Sequence, residues 1–391
     1  MTKYVLIATV IIVFLLVCSS SVAAISYVVT NDDNCNAPGN SSTIYTLNTS
    51  NGALTLLQSV NTGGVGNCGG FFATVGNAIT RDAKCLFVAD GGSNDIAAFA
   101  LPSLKKVGNY SNAALNSAYP GGSMALAPNG NFLYATYAGS ENIGAWKRNS
   151  DCSLTFINAY VASGIGQDEY SGLIVDPSGQ GLIVSAGDNG GLELFLINQS
   201  SGALTDVSST NFNDTACSSD DGCFPAGLDI TRKELLIVGN STLGSSAFTT
   251  QLITTPPYFS KVTYVDLTNF AGLCNNNIPW LSSAAYSNGV GALYFGFSGY
   301  GNGSGCQPGV LTAALTGSGV TVAKATAINS ANLFDGTIQS TGNWMVVSEW
   351  PNQLQVFQIN GDGSLTATGQ GPVTDSNAAG ALSFFIYPKT R

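Results

Sequence analysis

A strand-turn-strand phrase recurs about every 50 residues along the 391-residue chain, and no other feature limits its possible folds so strongly. The copies run over Ala78–Leu101, Met124–Lys147, Gly172–Ile197, Gly227–Leu267, Ser282–Leu315 and Asp335–Ile359. Each contains an apolar run, a tight polar turn, a second apolar run, a loop and a third, alternating run. That order predicts a four-stranded sheet repeated as the blade of a propeller. The chain ends complete the count. Ala381–Pro388 reads as one lone strand, whereas Ile25–Thr30, Thr43–Asn48 and Leu54–Val60 read as three. Pairing them gives a composite blade, so the expected fold is all-β: a seven-bladed β-propeller closed by strands from both termini, which removes open sheet edges.

Composition supports a chain of short buried strands joined by tight corners. Only 9% of residues are charged and 47 are glycine. The repeats follow one another without a linker, which predicts one domain over residues 25–391. Ahead of it, Lys3, the apolar stretch Tyr4–Val17 and the small residues Ser21–Ala24 have the form of a secretory signal peptide over residues 1–24. Its apolar core is too short to span a bilayer, so no membrane span is expected. The exported chain retains eight of the nine cysteines, an even set that points to disulfides in an oxidising compartment, extracellular or periplasmic.

The blade phasing sorts these cysteines by face. With strands a to d numbered outward from the axis, a–b and c–d turns lie on one face, and b–c and d–a loops on the other. Cys35 and Cys68 fall in the two loop types around the closing blade, and Cys274 and Cys306 in the same types around the fifth. Cys85 and Cys152 fall on the opposite face, and Cys217 and Cys223 share one loop. The expected pairs are Cys35–Cys68, Cys85–Cys152, Cys217–Cys223 and Cys274–Cys306.

The same sorting assigns one face only short hairpins, while long segments such as Asn31–Ser42, Asn61–Phe72, Thr210–Pro225, Asn240–Ser260 and Thr268–Trp280 gather on the other. Long loops on a rigid scaffold are where binding concentrates. That face is expected to be acidic, because Arg81, Arg148 and Arg232 fall in hairpin turns. Arg148 or Arg232 in the central opening among the long connectors would invert the sorting. With no histidine and a net charge of −10, the loop face is expected to repel phosphates, carboxylates and nucleic acid. Its ligand candidates are Asp90, Asp168, Glu169, Asp188, Glu349 and Trp350. Carboxylates beside Tyr258, Phe259, Trp280 and other aromatics suit a neutral small molecule, a glycan or a protein loop, with the chain acting as a monomer. Transition-metal cofactors are not expected without imidazole and with oxidised thiols. Calcium is the one cation the oxygen-rich runs Asn31–Asn34 and Ser218–Gly222 suit, and Asx turns bonding their own backbone are the simpler account of both.

The Gly-Ala-Leu-Thr turns at Gly52–Thr55 and Gly202–Thr205, and the Pro-Asn-Gly-Asn-Phe-Leu-Tyr phrase at Pro128–Tyr134, resemble the lactonase family of seven-bladed propellers. That group holds 6-phosphogluconolactonases and carboxymuconate-cyclising enzymes, and surface-layer propellers share the blade phrase. The resemblance extends over the mature chain and implies opening of a sugar lactone or closure of a muconate. It also implies histidine, arginine and carboxylate groups at the channel mouth. The family's histidine motif would fall at Gln167–Ser171, where Glu169 and Ser171 stand instead. The sequence therefore favours a non-catalytic binding or scaffold module, with a carboxylate-based lactonase or muconate-cyclising enzyme as alternative, and a cell-surface structural or adhesive role as a third.

Overall fold

The computed structural model describes residues 25–68, 76–115, 123–137, 142–162, 172–186, 191–207, 224–241, 247–253, 255–256, 258–265, 281–297, 308–316, 319–328, 337–349, 352–379 and 383–388. These form seven antiparallel sheets. Six are contiguous in sequence, with inner strands Asn77–Ile79, Met124–Leu126, Leu173–Val175, Phe224–Ile230, Leu281–Ser287 and Ile338–Thr341. The seventh takes its inner strand, Ser383–Tyr387, from the C-terminal segment and pairs it with Ile25–Asn31, followed outward by Ser41–Asn48 and Ala53–Asn61. The ring is thus a seven-bladed propeller closed by both termini, as the repeats predict.

Side-chain alternation along the strands makes the ring cohere. In Phe132–Tyr137 of the second blade, Leu133 and Ala135 pack towards the first blade, whereas Phe132 and Tyr134 pack towards the third. Successive strand residues point to opposite sheet faces, so a strand between two neighbours must be apolar on both. Seven buried clusters result, one at each junction between adjacent blades.

The Gly-Ala-Leu-Thr repeat has a specific task in these junctions. Gly52, Gly202 and Gly363 occupy the same place in three c–d turns, at φ of +72°, +75° and +81°. A Cβ on Gly202 would overlap the Phe132 ring of the preceding blade, and one on Gly52 would overlap Trp344. Tyr134 and Tyr294 donate hydrogen bonds to the Gly202 and Gly363 carbonyls across these gaps, at 3.1 and 2.9 Å, and the Trp344 indole donates to Thr49 O at 2.9 Å. In the second blade the left-handed slot holds Cys152, at φ +69°, and it is bonded to Cys85 of the first blade. The same approach of turn to neighbouring strand is made by an aromatic side chain at three junctions and covalently at one.

Both disulfides within the described residues, Cys35–Cys68 and Cys85–Cys152, match the face sorting. Cys217, Cys223, Cys274 and Cys306 lie outside the described residues, as does the segment 1–24. Among the described residues no helix is long and apolar enough to cross a membrane. One expectation is corrected. Asn240–Ser260 is not a single long loop, because Ala247–Leu252 forms the third strand of the fourth blade. Its two threonines hide the apolar alternation; Thr249 and Thr250 are buried nonetheless, Thr250 Oγ1 donating to Ser260 O at 3.0 Å. Tyr258 and Phe259 therefore lie at a c–d turn on the hairpin face and are packed in the junction core rather than offered to a ligand.

Replacing Gly202 with alanine should lower unfolding free energy by about 2 kcal/mol or more, from the left-handed backbone and the overlap with Phe132. Gly361→Ala, where an added Cβ meets nothing within 4 Å, should leave the denaturation midpoint nearly unchanged. Equal effects in the two variants would contradict the junction role. A non-reducing peptide map should recover Cys217–Cys223 and Cys274–Cys306 beside the two described bonds; any other pairing would break the blade phasing.

Candidate functional site

The second strand of the first blade, Cys85–Asp90, is buried throughout and ends on the loop face. A four-residue turn follows, and the third strand, Asp95–Ala100, returns in register so that Asp90 and Asp95 stand directly opposite. The two carboxyl groups are thereby brought together at the strand ends. Asp90 is fully buried and accepts hydrogen bonds from Asn40 Nδ2 at 2.9 Å, Thr62 Oγ1 at 2.6 Å and Asn109 Nδ2 at 3.3 Å. Asn109 also donates to Asp95 Oδ1 at 2.5 Å, so one amide clamps both acids.

Burial is the main reason that Asp90 holds its proton up to about pH 7; the Asp95 charge and a hydrogen bond between the two carboxyls add to it, against the lowering effect of Thr62 and Asn40. Asp95 is only half-buried. Beside the pair lies a cleft of about 10 Å³, lined by both acids, Asn94 and Tyr137. That is space for a single water and not for an organic substrate. One buried carboxylic acid, one accessible carboxylate and a water-sized cleft are the elements of proton transfer to and from water.

A second buried acid pair closes the ring. Asp32, on the loop after the first strand, receives hydroxyl donors from Thr30, from Ser41 at 2.5 Å and from Thr43 at 2.9 Å. Asp375, near the other end of the chain, receives Tyr45 Oη at 2.9 Å and the Asn377 backbone N–H at 3.0 Å, and Thr43 Oγ1 lies within 3.5 Å of it. Burial first, and the Asp375 charge second, raise Asp32 to about 6. Burial and the same aspartate push the Tyr45 hydroxyl far above the usual phenol range. Every hydroxyl around this pair is engaged, which makes it a clasp between termini rather than an open site.

The remaining sequence candidates divide sharply. Glu349 ends its second strand at the place Asp90 holds in the first blade and is likewise buried, but the closing blade stands between them. Asp168, Glu169, Asp188 and Trp350 lie outside the described residues. Within the Asn31–Asn34 run, Asn31 Oδ1 and Asn34 Oδ1 accept the backbone N–H groups of Asp33 and Asn36 in Asx turns, and Asp33 Oδ1 accepts from Asn67 N at 2.7 Å. Among the described residues no set of three or more His, Cys, Asp or Glu side chains is placed to hold a metal ion; Ser218–Gly222 lies outside them. Sequence reasoning missed Asp95 and Asn109. The available signal was the spacing Asp90-Gly-Gly-Ser-Asn-Asp95, since a four-residue hairpin turn sets its flanking residues opposite one another.

Arg81, Arg148 and Arg232 lie on the hairpin side. Arg148 donates to Gly130 O at 2.6 Å and pairs with Asp82 at 3.5 Å, bridging the first two blades. Arg81 and Arg232 line the central opening, but alongside the a–b turn residues Pro128 and Pro177 and not among the long connectors. The face sorting therefore holds, although the axis itself is not free of cations.

A profile of the family described as "Lactonase, 7-bladed beta-propeller" matches residues 38–167. No curated protein sequence matches the chain. Similar solved structures include a candidate 6-phosphogluconolactonase from Bacteroides fragilis, at 15% identity and TM-score 0.69, covering 94% of this chain and 99% of that one. A second candidate 6-phosphogluconolactonase, from Bacteroides uniformis, has 12% identity and TM-score 0.70 over 93% of this chain and 100% of that one. A protein from Lactobacillus plantarum, at 14% identity and TM-score 0.68, likewise covers 93% and 100%. At these identities the structures establish a shared fold.

Both buried carboxyls are raised above the ordinary aspartate range, to about 6 for Asp32 and about 7 for Asp90. Their stabilisation is thus complete in acid below the unfolded value and is lost as pH rises through those folded values. Chemical denaturation should show a more stable protein at pH 5 than at pH 8, and Asp90→Asn, which keeps a neutral donor towards Asp95, should flatten that slope. Stability rising between pH 5 and 8 would overturn this account.

Proposed function

We propose, from the premise that the chain is a lactonase-like seven-bladed propeller, that it is an exported enzyme opening an uncharged cyclic ester. The observation that carries this reading is the Asp90–Asp95 pair beside a water-sized cleft. The cleft takes only the attacking water, and the lactone stands outside it, on the solvent-accessible side of the half-buried Asp95. Asp95 takes a proton from that water as the water oxygen adds to the lactone carbonyl. The ring C–O bond then breaks, and the departing ring oxygen takes that proton back from Asp95. The product is one hydroxy acid, with no other reactant. Asp90 keeps its own proton and donates it in a hydrogen bond to Asp95, which holds that carboxylate in position.

An uncharged substrate is favoured over a phosphorylated one by the net charge of −10 and by the positions of Arg81, Arg148 and Arg232 on the hairpin side. The disulfides and the leader-like start support export. A non-catalytic binding role for the same face is the competing reading, and one observation favours it: Asp90 is fully buried and its oxygens already accept three hydrogen bonds. The family profile speaks for lactone chemistry over a scaffold.

A panel of neutral γ- and δ-lactones, with 6-phosphogluconolactone beside them, decides between the two. A neutral lactone should be opened, and Asp95→Asn should lower kcat by roughly a hundredfold or more with little change in KM. Asp90→Asn should displace the pH profile of the remaining activity. Lactones bound but never opened, or turnover indifferent to Asp95→Asn, would leave the binding module as the function.

A further inference from the structure

The central axis carries a cavity of about 700 Å³, bounded by inner strands of all seven blades. Its volume lies in the range of ordinary small-molecule sites, roughly 300–1,000 Å³. Leu126, Val175, Leu228 and Phe385 make its walls largely apolar. At the hairpin end, Arg81 of the first blade and Arg232 of the fourth stand on opposite sides of the ring, and both are exposed. The ion pairs among the described residues are Lys84–Asp82 and Arg148–Asp82, so neither rim arginine has a carboxylate partner there.

Two aspartates also border the cavity, and both are turned to the backbone. Asp229 accepts from Ile230 N and Tyr286 N, each at 2.9 Å. Asp176 accepts from Gln180 N at 2.9 Å and from Ser178 Oγ. Each aspartate thus has donors of its own, and among the described residues neither forms an ion pair with Arg81 or Arg232. Arg81 is also held in place, because Tyr387 Oη donates to its carbonyl at 2.8 Å. In a chain with 13 cationic and 23 acidic residues, two arginines outside the described ion pairs stand at one opening, where they offer guanidinium donors to an entering anion beside largely apolar walls.

We propose that this opening is a second binding site, distinct from the carboxyl pair on the other face, and that it takes small organic acids. The apolar body enters between the inner strands and the carboxylate remains at the mouth with Arg81 and Arg232. Neutral molecules of the same shape lack the attraction, and the acidic loop face does not compete for the anion.

Calorimetric titration of the full chain with benzoate, and with benzyl alcohol as the uncharged match, tests the site. Benzoate should bind in the millimolar range or tighter, and benzyl alcohol about tenfold more weakly. Raising ionic strength from about 0.05 to about 0.5 M should weaken benzoate binding. The double variant Arg81→Gln/Arg232→Gln should lose about tenfold in benzoate affinity; its exposed positions keep folding intact, checked by an unchanged denaturation midpoint. Benzoate binding absent at about 10 mM, equal to that of benzyl alcohol, or unaltered in the double variant would overturn the proposal. Lactone turnover plays no part in this measurement, so its outcome is separate from that of the catalytic reading.

Discussion

Each blade is stable only because its neighbours cover both of its faces. A four-stranded sheet with apolar side chains on alternate sides has nothing of its own to bury them against. The seven junction clusters supply that burial, and the ring must close for the first and last blades to receive their share. Closure is correspondingly over-determined. The C-terminal strand Ser383–Tyr387 pairs with Ile25–Asn31, and Asp375 is gripped by Thr43 and Tyr45 some 330 positions away in sequence. The polar clasp sits at the end of an apolar seam, where hydroxyl donors can satisfy acids that water no longer reaches.

The repeated turn shows how a local rule serves this global need. A left-handed residue ends the c–d turn against the preceding blade: glycine in three blades, a cysteine joined to the neighbour in the second, and Leu104 and Tyr258 in the first and fourth. Similar economy governs the inner strands. Thr136, Ser185 and Ser348 occupy equivalent places in three blades, and each hydroxyl contacts the backbone of the residue just before the inner strand, at Ser123, Gly172 and Thr337. These hydroxyls fasten the incoming connector at the loop face, where the chain crosses from one blade to the next. In the first blade Ala89 holds that place, and the carboxyl pair beside it is fixed instead by Asn40 and Thr62, which the long connectors of the closing blade supply.

Two faces with different chemistry follow from this construction. On the loop face, a strand end delivers Asp90 into a fully buried position, where desolvation raises its pKa to about 7. On the hairpin face, turns hold their cations in water or in cross-blade contacts such as Arg148 with Asp82. Without histidine, the titratable groups of the first face are carboxyls, whereas the second carries Arg81, Arg148 and Arg232.

Blade number, the split closing blade, the hairpin side of every arginine before the C-terminus and the two described disulfide pairs were all legible in the sequence. Each rests on period, turn length or strand order, which are properties of neighbouring residues. The third strand of the fourth blade was not legible, because Thr249 and Thr250 break its apolar pattern while burial and a hydrogen bond compensate them. Nor was the elevation of Asp90 over the other acidic candidates, since its state depends on Asn40, Thr62 and Asn109, which come from two different blades. Residue order alone determined the ring and its two faces. Which carboxyl group keeps a proton, and which arginines border the axis, was decided only by folding, because desolvation and the lining of the central cavity arise when distant segments pack together.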